Sequence, residues 1–166
     1  DSPVKWFAMS SGTTEEKSKY IPVTQESLEN CHYKSGYHML GLYGNSYPDA
    51  SFVFGKTLVL GGSQQVNYIG GDVYTGDISA ILMKNAIKQD IRAMLGVPSW
   101  MLVLLKKIVE NTGRPIDELW KNLEVFFHGG VNFAPYQQQY YKLIQSPNMR
   151  YWETYNASEG FFGVQY

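Results

Sequence analysis

The stretch LEVFFHGGVNFAPYQQQYYKLIQSPNMRYWETY, residues 123–155, decides the fold. Its first five residues, Leu123-Glu124-Val125-Phe126-Phe127, are apolar or aromatic but for Glu124, over too short a run for a helix, and read as a strand. His128-Gly129-Gly130 is a tight turn. Residues 134–144 read as a helix, with Pro135 in the first turn, where its missing N–H removes no hydrogen bond. Residues 149–155 form a second strand. A strand, a crossover helix and a strand in that order imply parallel pairing through a right-handed connection.

Upstream, Ser99 reads as the cap of a helix over residues 100–111, which Gly113 and Pro115 terminate: glycine accepts a left-handed C-cap and proline cannot continue the ladder. Residues 117–121 add a further helical turn. Asp77 reads as the cap of a helix running to residue 95, since Ile78, Ile81, Leu82, Ile87, Ile91, Met94 and Leu95 follow a three-to-four spacing. KTLVL (56–60) is a short strand closed by Gly61-Gly62-Ser63. Thr24 can cap a helix to about Tyr43, with Leu28, Cys31, Met39, Leu40 and Tyr43 as an irregular apolar face. VKWFAM (4–9) and YIPV (20–23) read as two strands joined by the turn-rich cluster Ser10-Ser11-Gly12-Thr13-Thr14. The expected fold is one α/β domain, a mixed, partly parallel sheet flanked by helices.

Composition agrees with a packed domain. At 166 residues the chain can bury roughly 70% of its unfolded surface. It is 44% hydrophobic and 17% charged, which excludes a disordered tail or a low-complexity polymer. With 14 Lys+Arg against 15 Asp+Glu there is no broad field to capture nucleic acid or anionic membrane, so any anion must be held locally. No apolar run approaches the ~18 residues of a membrane span. Cys31 is the single cysteine, which excludes an internal disulfide and points to a reduced, cytoplasmic protein. The start, DSPVKW, lacks a signal peptide's pattern and reads as an internal starting point.

In parallel α/β sheets ligands bind beyond the carboxyl ends of the strands. That rule selects the His128-Gly129-Gly130 turn and the loop Asn156-Ala157-Ser158-Glu159-Gly160. A third candidate is the cluster at residues 10–14, which sets four hydroxyls around one glycine, with Lys17 and Lys19 close behind. Small backbone, free N–H groups, hydroxyl donors and a cation are what a phosphate needs, although a solvated turn has the same composition. The spacing is not that of a Walker A loop, and the cluster runs into a strand where that motif runs into a helix. Glu159 is a carboxylate that could hold Mg²⁺ beside a phosphate. His32, His38 and His128 show no metal-ligand spacing with one another or with Cys31.

Together these loops resemble the signature of adenylate-forming enzymes, specifically the bacterial relatives of the plant auxin-responsive (Gretchen Hagen) acyl acid amido synthetases. SSGTTEEKSKYIPVT (10–24) resembles that family's phosphate-loop motif, NLEVFFHGGVNFAPY (122–136) its glycine turn near the nucleotide, and ETYNASEGFFG (153–163) its tyrosine-to-glutamate motif. GVPSWM (96–101) is similar to a connecting segment. The resemblance extends over essentially the whole chain, in the family's order.

What the resemblance implies is specific. The fold would be part of the large domain of an adenylate-forming enzyme. Ser10, Ser11, Gly12, Thr13 and Thr14 would cradle the ATP phosphates, with Lys17 or Lys19 as a helper and Thr14 among the catalytic groups. Gly129 and Gly130 would let backbone approach the adenosine. Tyr155, Asn156, Ala157 and Ser158 would flank the adenine and α-phosphate, and Glu159 would ligate Mg²⁺ as metal site and catalytic group. The partners would be a carboxylic acid and an amine or amino acid: the acid attacks the α-phosphate of ATP to give acyl-AMP, and the amine displaces AMP. Family members are longer, with a ribose-binding aspartate motif and a mobile C-terminal lid, so residues 1–166 are expected to be an incomplete ATP- and acyl-binding domain, inactive alone. A family helix is also shortened at Asn85-Ala86. The competing expectation is a binding module for carbohydrate or another planar ligand, motivated by 15% aromatic residues.

Overall fold

The computed structural model describes residues 2–9, 20–60, 72–74 and 86–165. Two strands, β1 (Val4–Met9) and β2 (Tyr20–Thr24), pair antiparallel as a ribbon. Thr24 caps the following helix as the sequence implies: its hydroxyl accepts from Ser27 N at 3.0 Å while the Ser27 hydroxyl accepts from Thr24 N at 3.2 Å. The helix runs as α1 (Gln25–Ser27), a π-helical turn (Leu28–Tyr33) and α2 (Lys34–Ser46).

The main sheet has the order β4-β3-β5-β6-β7-β8, built from β3 (Lys56–Leu60), β4 (Asp72–Tyr74), β5 (Ile91–Gly96), β6 (Val125–His128), β7 (Arg150–Ala157) and β8 (Gly160–Val164). From β4 to β7 every pairing is parallel, and β8 closes the edge antiparallel to β7. A 3-10 turn (Phe52–Phe54) and helices α3 (Pro98–Thr112), α4 (Ile116–Leu119) and α5 (Ala134–Leu143) complete the described elements. The β6–α5–β7 unit has the parallel pairing that residues 123–155 imply, with Val125 opposite Arg150 and His128 opposite Glu153.

Three expectations are corrected. Residues 91–96 are strand, not the end of a helix begun at Asp77, and residues 75–85 lie outside the described residues. α3 starts two residues early: Pro98 takes the first position and Val97 the cap, so Ser99 is inside the helix. Residues 156–160 are not an open loop. β7 continues through Ala157, Ser158 and Glu159 form a turn, and Gly160 begins β8.

Each face of the sheet carries its own core. Phe126 packs with Leu102, Leu105 and Tyr140 beneath α3 and α5, whereas its neighbours Val125 and Phe127 pack with Met39, Tyr43 and Trp152 beneath α2. A four-residue strand buried on both sides is what VFFH requires, because every side chain of it is hidden. Gly113 ends α3 in the left-handed region at φ 64°, as its position after the helix implies. Among the described residues no helix is long and apolar enough to cross a membrane.

Candidate functional site

Parallel pairing brings the ends of β5, β6 and β7 to one edge: Gly96 lies opposite His128, and His128 opposite Glu153. The chain leaves β6 through two glycines that have separate reasons to be glycine. A Cβ on Gly129 would sit 2.2 Å from the Thr154 carbonyl oxygen, so the turn is pressed against β7 with no room for a side chain. Gly130 has φ +83°, which L side chains rarely adopt. The Thr154 hydroxyl donates to the His128 carbonyl at 3.1 Å, tying the turn to β7 a second time.

Beside this turn lies a cleft of about 560 Å³ between residues 130–132 and the β7–β8 pair, walled by Gly130, Asn132, Glu153, Thr154, Tyr155 and Gln165. Its volume is in the range of small-ligand sites. Tyr155 is exposed, and its ring lies 5.1 Å from that of Phe162 at 39°. Asn132 accepts from Ala134 N at 3.0 Å, holding the entry to α5. Gln165 fixes the far wall, its amide oxygen accepting from Glu153 N at 3.0 Å and its own N–H donating to the Glu153 carbonyl at 2.9 Å.

Of the residues proposed from sequence, Gly130 and Tyr155 line the cleft and Gly129 shapes it. Asn156, Ala157, Ser158 and Glu159 stand further along the hairpin, outside the cleft wall, with Glu159 exposed in the turn. Ser10, Ser11, Gly12, Thr13, Thr14, Lys17 and Lys19 lie outside the described residues. Asn132, Glu153 and Gln165 were given no role by sequence reasoning. Glu153 was within reach of it: alternation along β7 puts Tyr151, Glu153 and Tyr155 on one face, and parallel register puts Glu153 beside His128. Gln165 could not have been found without β8.

A single exposed carboxylate at Glu159 is a hard oxygen donor. Among the described residues no group of three His, Cys, Asp or Glu could hold a metal ion. A divalent ion there would take its remaining ligands from phosphate and water, which suits Mg²⁺ and not a cage-bound metal.

His128 sits at the end of β6, buried, with its ring 4.3 Å from Phe133 and near-stacked at 27°. Burial pushes its imidazole down to about 4, and its Nδ1 has no hydrogen-bond partner among the described residues. As pH falls, the unfolded chain takes up the proton first, near the ordinary value of 6.5, and the folded chain only near about 4. The stabilisation is therefore whole above pH 6.5 and is lost across that window, reaching about 3 kcal/mol at the lower end. Urea midpoints measured across the window for the wild type and His128→Leu test this. The variant should show the shallower pH dependence, and equal slopes would refute it.

The five parallel strands with an antiparallel edge, covered by helices on both faces, form an α/β fold that solved structures share. An AtGH3.15 acyl acid amido synthetase in complex with 2,4-DB superposes with a TM-score of 0.64 at 14% identity, over 99% of this chain and 43% of that one. ATP-bound MatB from Rhodopseudomonas palustris gives 0.53 at 18% identity, over 96% of this chain and 30% of its own. The chain thus spans less than half the length of either structure. The pattern of the GH3 family N-terminal domain matches residues 1–69 and 62–149, and the chain belongs to the GH3 family. No curated protein sequence matches it.

Proposed function

We propose that the chain is part of a cytoplasmic, ATP-dependent ligase that activates a carboxylic acid as acyl-AMP and transfers the acyl group to an amine or amino acid. The observation that carries this reading is the cleft at the carboxyl edge of the parallel sheet, between the pressed Gly129-Gly130 turn and the exposed ring of Tyr155. Family membership supports it, as do the acyl acid amido synthetase and the ATP-bound enzyme that share the fold.

The cleft suits a purine. Tyr155 offers a ring face, and the Glu153 carboxylate can accept from an exocyclic amine. The same carboxylate would repel phosphates, which therefore fall to the other end of the nucleotide. As phosphate donors the sequence offers Ser10, Ser11, Gly12, Thr13 and Thr14, with Lys17 or Lys19 as cation. Mg²⁺ held by Glu159 would neutralise charge on the phosphates; Asn156, Ala157 and Ser158 bring that carboxylate to the tip of the hairpin. Positioning and charge neutralisation supply most of the catalysis in such a reaction. Residues 1–166 would form one part of the ATP- and acyl-binding domain, a part that should not turn over alone.

Exchange of labelled pyrophosphate into ATP by the full-length protein, with a panel of carboxylic acids, tests the reading. Exchange should depend on an acid, and Glu159→Ala should abolish it; no exchange with any acid would sink the reading. A planar-ligand module is not favoured. Trp120 and Trp152 are buried core residues, and although Trp6, Trp100 and several tyrosines are exposed, the neighbouring exposed rings Tyr155 and Phe162 are tilted at 39°, where a shared stacking platform needs coplanar rings.

A further inference from the structure

The hairpin of β7 and β8 is held at two heights. At its base Trp152 packs against Tyr43 of α2, the ring centroids 5.3 Å apart in an edge-on arrangement. At its tip the contact is of another kind: the Phe161 backbone N–H donates to Sγ of Cys31 at 3.3 Å, across 130 residues of sequence. Gly160, buried beside it, presents no side chain to the sulfur. A Cβ there would stand 3.3 Å from Sγ, closer than ordinary van der Waals contact. Cys31 reaches this spot from the π-helical turn at Leu28–Tyr33, set between two α-helical segments. A π-turn widens the helix by one residue and rotates the side chains before it relative to those after it. Such turns are rare and recur at functional sites.

We infer that this joint between the π-turn and the hairpin tip makes Cys31 a positioning residue for Glu159. Glu159 is one residue from Gly160 and two from Phe161, so the N–H···S bond and the side-chain-free contact set where its carboxylate stands. The sulfur itself touches no substrate in this scheme. The inference rests on the reading of Glu159 as the Mg²⁺ carboxylate, and the experiment separates the two.

Full-length protein carrying Cys31→Ala, Cys31→Ser, Cys31→Val or Glu159→Ala would be compared by two measurements. The first is hydrogen exchange at the Phe161 amide without metal or nucleotide. The second is the Mg²⁺ concentration giving half-maximal pyrophosphate exchange. Cys31→Ala and Cys31→Val should deprotect the Phe161 amide and raise the Mg²⁺ requirement about tenfold, the lower end of what is lost when a group orienting a metal ligand is removed. Cys31→Ser should restore part of both, because its hydroxyl oxygen can accept the same N–H. A merely structural loss would lower the fraction of active protein and leave the Mg²⁺ requirement where it was. Unchanged Phe161 protection in Cys31→Ala, or an unchanged Mg²⁺ requirement, overturns the inference. If Glu159→Ala keeps full exchange, the reading of Glu159 falls first. If Glu159→Ala is dead and Cys31→Ala behaves as wild type, only the joint's role falls.

Discussion

Gly129→Ala is expected to destabilise the protein by about 2–4 kcal/mol, although it adds a single methyl group. The added Cβ would lie 2.2 Å from the Thr154 carbonyl oxygen and 2.9 Å from its hydroxyl, and the nearer of these is backbone that cannot swing aside. Either β7 moves away from β6 at the edge that carries the cleft, or the turn lifts and the Thr154-to-His128 hydrogen bond breaks. Both routes open the wall formed by Gly130 and Tyr155, so nucleotide affinity should fall together with stability. The comparison is Gly36→Ala, in α2, where nothing lies within 4 Å of the new carbon and alanine is the better helix former. Urea unfolding should show the Gly129 variant's midpoint well below wild type and the Gly36 variant's at or above it. A Gly129→Ala midpoint equal to wild type would mean that the turn is not pressed on β7.

How far the sequence disclosed this arrangement depends on how each element is buried. The unit from β6 to β7 was legible because the strand, turn, helix and strand are each marked by a different residue class: VFFH, then two glycines, then Pro135 opening a polar helix, then YW on the returning strand. The segment at 91–96 was misread for a physical reason. Met94 belongs to the core under α3 and α5, and Ala93 to the core under α2, so a strand covered on both faces shows no alternation and its apolar run fits a helix as well. β8 was missed because GFFGV has a glycine near each end and leaves Phe162 exposed; it holds its place by pairing with β7, which no local pattern announces. The glycines of the site were legible as types. Which contact excludes their side chains was not, since Thr154 meets Gly129 only through sheet register.

The second large effect lies at the opposite edge of the sheet. Glu124, immediately before β6, is a buried carboxylate that accepts from the Tyr43 hydroxyl at 2.7 Å, from the Ser51 N–H at 2.7 Å and hydroxyl at 2.9 Å, and from Arg150 at 3.3 Å. Arg150, the first residue of β7, also bonds Asp49 at 2.8 Å and stands 4.2 Å over the Tyr47 ring. Burial raises the Tyr43 phenol far above its ordinary value, so it is a protonated donor at neutral pH. Glu124→Ala would strand a buried hydroxyl and an arginine that is only partly exposed, and should cost about 3–5 kcal/mol, the range for breaking a buried pair from one side. Glu124→Gln, which keeps the shape and two of the acceptor directions, should cost less. Asp49→Asn should leave the unfolding midpoint almost unmoved, because that carboxylate faces solvent and its partnership with Arg150 is screened. The order Ala, then Gln, then Asp49→Asn distinguishes a buried charge network from a set of independent surface pairs, which would give three small and similar losses. Because the network joins α2 to the beginnings of β6 and β7, and the cleft is built on their ends, activity in these variants should follow the folded fraction alone. A change in nucleotide KM at full folding would mean that strain at one edge of the sheet is transmitted along β6 and β7 to the Gly129-Gly130 turn.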